Sequence, residues 1–154
     1  MKIYLATDHA GFELKEGVKK WLKELGYQVQ DEGAFEYDET DDYPDYIKIV
    51  AKQVASDPDN NRGLIFGGSG QGEAIVANRF PHVRAVVYCG NNKLLVLSRT
   101  HNNANVLALG ARFVSLEEAI EAIKRWMVVD FPGEERHLRR LEKIDSQATT
   151  IHEF

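Results

Sequence analysis

The stretch GLIFGGSGQGEAIVANR, residues 63–79, decides how this chain is expected to fold. Its first four residues predict a buried strand, and Glu73 opens a segment, 73–79, with the composition of a helix. Between them lie four glycines and one serine, which few helices or strands would accommodate. A glycine-rich turn from a buried strand into a helix is typical of parallel sheets whose strands are joined by helices.

The same order of strand and helix repeats along the rest of the chain. Short apolar runs predict five strands, and residues at helical spacing follow or precede each of them. We therefore predict an α/β fold: a doubly wound, Rossmann-like sheet of five parallel strands with helices on both faces. The predicted strands are 3–7, 27–33, 63–66, 84–89 and 105–110. The predicted helices are 14–25, 44–54, 73–79, 92–100, 116–129 and 134–144.

Size and composition limit the kind of protein. The 154 residues fit one domain, predicted as 1–145, followed by a loose C-terminal tail at 146–154. A net charge of −5 argues against a general nucleic-acid binder or a binder of anionic membranes. No apolar run is long enough to span a bilayer, and the first residues do not resemble a signal peptide. A single cysteine suits a reducing compartment, so we expect a cytoplasmic protein.

The glycine loop predicts an anion site. Its backbone N–H groups can converge on a phosphate or on an oxyanion that forms during reaction. Two nucleotide-binding motifs fail here, because Glu73 stands where the third glycine of G-x-G-x-x-G would fall and no Lys-Ser/Thr pair follows. The alternative is a tight turn that needs glycine for steric reasons alone. Four glycines at 67, 68, 70 and 72 favour the functional interpretation.

Glu73 is the candidate general base. A glutamate in the first turn of a helix also complements the helix dipole, so its position alone leaves both interpretations open. The absence of side chains around it favours catalysis, since a substrate carbon could approach the carboxylate directly. A carboxylate next to an anion-binding loop suits the removal of a proton alpha to a carbonyl.

Other polar candidates follow predicted strands and helices. Asp8 and His9 come just after the first strand, where an Asp could equally cap the next helix. His101, Asn102 and the neighbouring Asn103 lie between a helix and a strand, and Asn-Asn is also common in turns. Each of these pairs therefore keeps a structural alternative.

The last predicted helix carries a basic cluster in a chain that is acidic overall. Arg136 and Arg140 are four residues apart, on one helix face beside His137, and suit a dianionic phosphate. Arg112, at the end of the fifth strand, could join the same anion. The alternative is a solvated helix with internal Glu–Arg pairs.

Metal and thiol chemistry are not expected. The histidines at 9, 82, 101, 137 and 152 are scattered without the spacing of metal ligands. Cys89 ends a predicted strand and is interpreted as a core residue rather than as a nucleophile.

Five motifs together resemble a known family. ATDHAGFELK, DYPDY, GGSGQGEAIVANR, SRTHNNANVLALGAR and ERHLRR occur in the order and spacing of type B ribose-5-phosphate isomerases, whose family includes galactose-6-phosphate and allose-6-phosphate isomerases. The resemblance runs from about residue 2 to 144. Most of that family carries a cysteine base where this chain has Gly67. The chain is similar to a subgroup that lacks this cysteine and has GGSGxGE instead, with glutamate as the base.

The resemblance implies a role for each matching residue. Glu73 would move the proton between C1 and C2, Ser69 and the glycine-loop amides would hold the enediolate, and His101 or Asp8 would open the sugar ring. It also implies no metal or organic cofactor, and homodimers, some paired into tetramers, with the active site at the subunit interface. The His101 loop and the last helix would then come from the neighbouring subunit. The implied substrate-binding and phosphate-binding residues are His9, Tyr43, Gly68, Gly70, Gly72, Asn102, Arg112, Arg136, His137 and Arg140.

Two further hypotheses remain open on the sequence. The same chemistry could act on a six-carbon sugar phosphate such as allose 6-phosphate, because a longer sugar needs only more room near His101 and Tyr43. A non-catalytic sensor of sugar phosphates or nucleotides is the third possibility, supported mainly by the missing cysteine.

Overall fold

The chain folds into one sheet of five parallel strands in the order β2-β1-β3-β5-β4. This computed structural model describes the backbone of residues 1–151 and the side chains of residues 1–147. The strands are β1 (Lys2–Thr7), β2 (Val29–Asp31), β3 (Asn61–Gly67), β4 (Ala85–Val87) and β5 (Val106–Gly110). The helices are α1 (Phe12–Glu24), α2 (Tyr43–Ser56), α3 (Gln71–Ala77), α4 (Asn92–Thr100), α5 (Leu116–Met127) and α6 (Glu135–Ile151).

The sheet separates two hydrophobic cores. Side chains alternate along a strand, so Ile3 and Leu5 enter one core while Tyr4 and Ala6 enter the other. Helices α1, α4 and α5 cover the first face, and α2 and α3 cover the second. The prediction of a doubly wound parallel sheet is thus confirmed.

The strand order places a crevice at the carboxyl ends of β1 and β3. From β1 the chain crosses to β2 on one side, whereas β3 is followed by strands on its other side. In such sheets, ligands bind where the direction of winding changes. Thr7 and Phe66 are paired at these two strand ends, so the polar loops that follow them are neighbours.

Helix α4 has its predicted bounds, and the other five helices differ from theirs by one or two residues at an end, or by more at the end of α6. Helix α3 starts at Gln71, two residues early, and α6 continues to Ile151, so the prediction of a loose tail from Ser146 is wrong as far as that residue. Helix α6 contacts the segment before β4, because its Asp145 pairs with His82 at 3.2 Å and with Arg84 at 3.5 Å. Residues 152–154 of the predicted tail, including His152, lie outside the described residues. Within residues 1–151, none of the helices combines the length and the apolarity that a membrane span requires.

Candidate active site

The glycine loop is fastened to the strand beside it. The carbonyl oxygens of Gly67 and Gly68 accept hydrogen bonds from the backbone N–H groups of Ala111 and Arg112, at 2.8 and 3.2 Å. Gly70 has a φ of 81°, in the left-handed region that favours glycine. Helix α3 has only seven residues, so its dipole is small. An anion at this site would therefore be bound mainly by the backbone amides of the loop.

Glu73 points back over the start of this loop. Its side chain is buried, with 3% of the residue exposed. A Cβ atom added to Gly67 would overlap with Glu73 Oε1 and lie 2.7 Å from Oε2. The carboxylate therefore occupies the space that a side chain at position 67 would fill.

The environment of Glu73 favours the protonated form of its carboxyl group. Burial raises the pKa of Glu73 above its ordinary value, partly offset by a hydrogen bond from its own backbone N–H, and the nearby charge of Asp8 adds to the increase. A carboxylate with a raised pKa is a stronger base, which suits proton abstraction from carbon.

Asp8 serves as a cap and also contributes charge to the site. It is buried at the end of β1, and its Oδ1 accepts the backbone N–H of Ala10 at 3.0 Å, which caps the 3₁₀ turn His9–Gly11. The interpretation as a cap is confirmed, and the charge of Asp8 also raises the pKa of Glu73.

His9 and Arg112 line one open cavity of about 640 Å³ beside the glycine loop. The Arg112 guanidinium lies over Gly68, since a Cβ added there would stand 3.0 Å from Nη1. Glu13 and Tyr37 lie on other walls of the same cavity. Two cationic side chains at the rim of an amide-rich loop form a suitable site for a phosphate group.

Tyr43 packs against the glycine loop, and Ser69 is part of it. The Tyr43 ring packs on Gly72, where an added Cβ would lie 2.6 Å from the hydroxyl oxygen. Ser69 is exposed at the loop, and its Oγ accepts the Gln71 backbone N–H at 3.3 Å. In a single chain, Asp8, His9, Tyr43, the glycine loop, Glu73 and Arg112 therefore gather at the carboxyl edge of the sheet.

The remaining candidates lie at the opposite edge. Helix α4 starts after β4 and runs back toward the amino ends of the strands, with His101 as its C-terminal cap. Asn103 lies in the next turn, and its carbonyl accepts a hydrogen bond at 3.0 Å from Nε of Arg84, which directly precedes β4. With a rise of about 3.3 Å per strand residue, the two edges are separated by roughly 15 Å. The His101 loop therefore cannot reach the Glu73 of its own chain.

His101 and His137 form a stack at this second edge. Their ring centroids are 4.3 Å apart, and His137 on α6 is only 4% exposed. Burial lowers the pKa of His137 below its ordinary value, and the positive neighbours His101 and Arg136 lower it further. The lowered pKa favours the neutral form of the His137 ring, which stacks on the ring of His101.

Arg136 and Arg140 of α6 are exposed to solvent. Arg136 Nε donates to Glu134 Oε2 at 3.0 Å, so the predicted alternative of an internal Glu–Arg pair is present for this residue. Arg140 lies one turn further on, and Asn102 is exposed beside His101. These side chains form a second cluster, made of His101, Asn102, Arg136, His137 and Arg140.

Two supporting contacts were not expected from the sequence. Asp41 Oδ1 lies 2.7 Å from His9 Nδ1, and Asp41 was not among the predicted site residues. Buried Arg99 donates from Nη1 to Asn103 Oδ1 at 2.9 Å, so it helps to shape the His101 loop. His9 and Asp41 are far apart in sequence, and Asn103 lies in a turn, so no regular pattern in the sequence reveals these contacts.

The position of Cys89 corrects one prediction. It is exposed and lies beyond the end of β4, so its interpretation as a core residue is wrong. Strand β4 ends at Val87 rather than at the predicted residue 89, which leaves the thiol on the loop that follows.

Within the described residues, one group of potential metal ligands comes together: Asp8, His9 and Asp41, whose ligand atoms lie within 4.8 Å of one another. Hydrogen bonds already use several of these atoms. Asp8 Oδ1 accepts the Ala10 amide, and Asp41 Oδ1 contacts the His9 ring. The distances describe a hydrogen-bonded pair next to a cap.

The fold and the carboxyl-edge cluster define an α/β protein with a buried glutamate at a glycine loop, beside a cavity lined by a histidine and an arginine. The Ribose/Galactose Isomerase family model matches residues 3–144, and the chain belongs to this family of aldose–ketose isomerases.

Individual relatives agree with this assignment. The chain is 41% identical over 143 residues to ribose-5-phosphate isomerase B of Escherichia coli, covering 93% of each chain. The structure of ribose-5-phosphate isomerase B from Mycoplasma genitalium with bound ribulose-5-phosphate matches with a TM-score of 0.91 and 36% identity, covering 96% of each chain. The enzyme from Clostridium thermocellum matches with a TM-score of 0.90 and 40% identity, covering 98% of this chain and 99% of its own.

Proposed function

We propose that this protein interconverts ribose 5-phosphate and ribulose 5-phosphate, with Glu73 as the base. The observation that carries the proposal is the Glu73 carboxylate, buried over Gly67 in the space that a side chain at that position would fill. The bound ribulose-5-phosphate of the Mycoplasma genitalium relative supports the choice of substrate. The chain is proposed to belong to the subgroup that uses glutamate in place of cysteine.

The reaction needs one proton transfer between neighbouring carbons. Glu73 removes the hydrogen from C2 of the open-chain aldose, and the electron pair moves onto the C1 carbonyl oxygen to form an enediolate. Amides of the glycine loop and the Ser69 hydroxyl stabilise this oxyanion. Protonated Glu73 then returns the proton to C1, while the proton of the C2 hydroxyl passes to the C1 oxyanion, which leaves a ketone at C2 and a hydroxyl at C1. This mechanism requires no metal or organic cofactor.

The substrate is held from both edges of the sheet, which requires two subunits. His9 and Arg112 bind the phosphate from the chain that supplies Glu73, and Tyr43 lines the sugar pocket. Arg136 and Arg140 complete the phosphate site from the neighbouring subunit, with His137 nearby. Its Asn102 binds sugar hydroxyls, and either its His101 or Asp8 of the first chain opens the ring. The separation of the two clusters within one chain supports this homodimer.

The test of the base is Glu73→Gln, which keeps the shape and removes the proton acceptor. We expect turnover of ribose 5-phosphate to fall by roughly two to four decades, the usual contribution of general base catalysis. Glu117→Gln is the matched control, because Glu117 also lies in the first turn of a helix but is exposed. Near-wild-type turnover in Glu73→Gln would exclude Glu73 as the base.

The substrate is tested by comparing kcat/KM on ribose 5-phosphate and allose 6-phosphate. We expect the five-carbon sugar to be preferred, and a preference for allose 6-phosphate would overturn that assignment. Incubation with ribose 5-phosphate in heavy water separates an enzyme from a sensor. Solvent deuterium in the sugar together with ketose formation supports the enzyme, whereas neither would be found with a sensor.

A further inference from the structure

Asp41 contacts His9 twice through one oxygen atom. Asp41 Oδ1 accepts the His9 backbone N–H at 2.9 Å and lies 2.7 Å from the ring nitrogen Nδ1. The Asp41 side chain is only 5% exposed, whereas the His9 side chain is 27% exposed. The carboxylate is thus a fixed, buried partner behind a ring that borders the cavity.

This geometry selects one state of the His9 ring. A carboxylate accepts hydrogen bonds and cannot donate them, so Nδ1 must carry the hydrogen. The other ring nitrogen, Nε2, is the one available to a ligand in the cavity that His9 lines with Arg112. When Nε2 is also protonated, the ring is an imidazolium that can donate to an anion.

The burial of the Asp41 carboxylate also favours a positive charge on His9. Among the described residues, His9 is the cationic group within ion-pair distance of Asp41, and Asp41 Oδ2 has no hydrogen-bond partner in the same set. A buried carboxylate is costly unless a positive charge or donors compensate it. Protonation of His9 supplies that compensation.

We propose that Asp41 is a positioning residue that holds His9 as an imidazolium aimed at the phosphate end of the sugar phosphate. This inference rests on the proposed function, in which His9 binds the substrate phosphate. It gives a role to the acidic segment before α2, which the mechanism does not otherwise use.

The other charges around His9 are mixed. Asp8 precedes it, Asp38 lies in the loop that carries Asp41, and Glu13 borders the cavity from α1, whereas Arg112 faces it after β5. The hydrogen bond to Asp41 is the largest influence and raises the pKa of His9 above 6.5; burial and Arg112 oppose it. The raised pKa extends the charged form of His9 toward the pH range in which a phosphate ester, with a second pKa of about 6, is a dianion.

The test is Asp41→Asn, with Glu39→Gln as control because Glu39 is an exposed carboxylate of the same loop. We measure the binding of inorganic phosphate by calorimetry and the titration of the His9 ring by ¹⁵N NMR. In Asp41→Asn, His9 should titrate at lower pH, and phosphate should bind about tenfold more weakly at pH 8, the value of one charge-assisted hydrogen bond. At pH 5.5, where His9 is charged in both proteins, the difference should largely disappear.

A purely structural role would weaken binding equally at both pH values, and that result would overturn the inference. So would an unchanged His9 titration, or wild-type protein that binds no phosphate. The double variant His9→Gln/Asp41→Asn provides a second measurement, because Asp41→Asn should change phosphate affinity no further once His9 is replaced. A further loss in that double variant would contradict action through His9.

These measurements do not depend on turnover, so their failure is distinguishable from failure of the proposed function. In the kinetic assay, Asp41→Asn should raise the KM for ribose 5-phosphate at pH 8 with little change in kcat. A loss confined to kcat would count against the inference while leaving the role of Glu73 untouched.

Discussion

At the scale of single residues, the site depends on a glycine, which has no side chain, at position 67. Gly67 has no Cβ, and the Glu73 carboxylate lies in the space left open. Burial there raises the pKa of Glu73 and makes it a stronger base. The identity of residue 67 and the position of residue 73 are therefore coupled by volume.

Gly67→Ala tests this coupling. The added methyl group must displace the Glu73 carboxylate, and we expect kcat to fall up to about a hundredfold, the loss typical of a misplacement of roughly 1 Å. Steady-state kinetics on ribose 5-phosphate measure the effect, and phosphate affinity should be unchanged. In a Glu73→Gln background the same substitution should cost little more. An unimpaired kcat in Gly67→Ala would show that the carboxylate works from another position.

Asp8 and Glu73 should be coupled through the pH dependence of activity. Burial and the charge of Asp8 raise the pKa of Glu73, so kcat/KM should decline on the acid side at a pH above the ordinary glutamate value of 4.5. Asp8→Asn removes the charge and keeps an N-cap, since Asn caps nearly as well as Asp. We expect the acid limb to shift to lower pH in the full pH–rate profile. A limb that does not move would mean that another group controls it.

At the scale of secondary structure elements, α1 is fixed to the segment after β2 by a buried charge. Lys15 is 0% exposed, and its Nζ donates to Asp31 Oδ1 at 2.7 Å and to the Ala34 carbonyl at 2.6 Å. The same helix begins directly after the turn that carries His9. This contact thus supports the placement of the loop that carries His9, the proposed phosphate-binding side chain.

Removing this contact should destabilise the whole domain. Lys15→Ala leaves a largely buried carboxylate with fewer partners, and we expect the free energy of unfolding to fall by about 3–5 kcal/mol. Urea denaturation measures it. Lys20→Ala, on the exposed side of α1, should change stability by less than about 0.5 kcal/mol. Equal stabilities of the two variants would show that the buried ion pair is unimportant.

At the scale of the whole molecule, each chain carries two separate clusters of candidate residues, which the proposed function treats as the two halves of one shared site. The Glu73 cluster lies at the carboxyl edge of the sheet and the His101 cluster at the amino edge, because α4 runs back along the sheet before His101. A two-fold symmetric dimer would bring the halves of different chains together twice.

Mixing two defective variants tests the shared site. Glu73→Gln and the double variant Arg136→Ala/Arg140→Ala each damage one half, so each homodimer should be poorly active. In co-expressed, randomly mixed dimers, about a quarter of all sites are intact, and turnover should recover to roughly that fraction of wild type. Refolding each variant alone and mixing them without subunit exchange is the control. No recovery in purified heterodimers would place both halves in one chain.

Some features could be predicted from local sequence patterns. The alternation of apolar runs with segments of helical spacing predicted five parallel strands joined by helices. Such patterns are visible in the sequence because periodicity reports which face of an element is buried. The bounds of α4 agree fully, and those of α3 and α6 do not. Asp145 of α6 forms ion pairs with His82 and Arg84, which lie far away in sequence, so no local pattern predicts these contacts.

The sequence by itself determined the fold class, the glycine loop and Glu73 as the carboxylate at its end, since strand, turn and helix signals are local. Only the tertiary structure decided that this carboxylate fills the space over Gly67, that Asp41 holds His9, that Cys89 is exposed, and that His101 lies at the far edge. These facts arise from contacts between segments distant in the chain, and volume and charge act there through space rather than along the sequence.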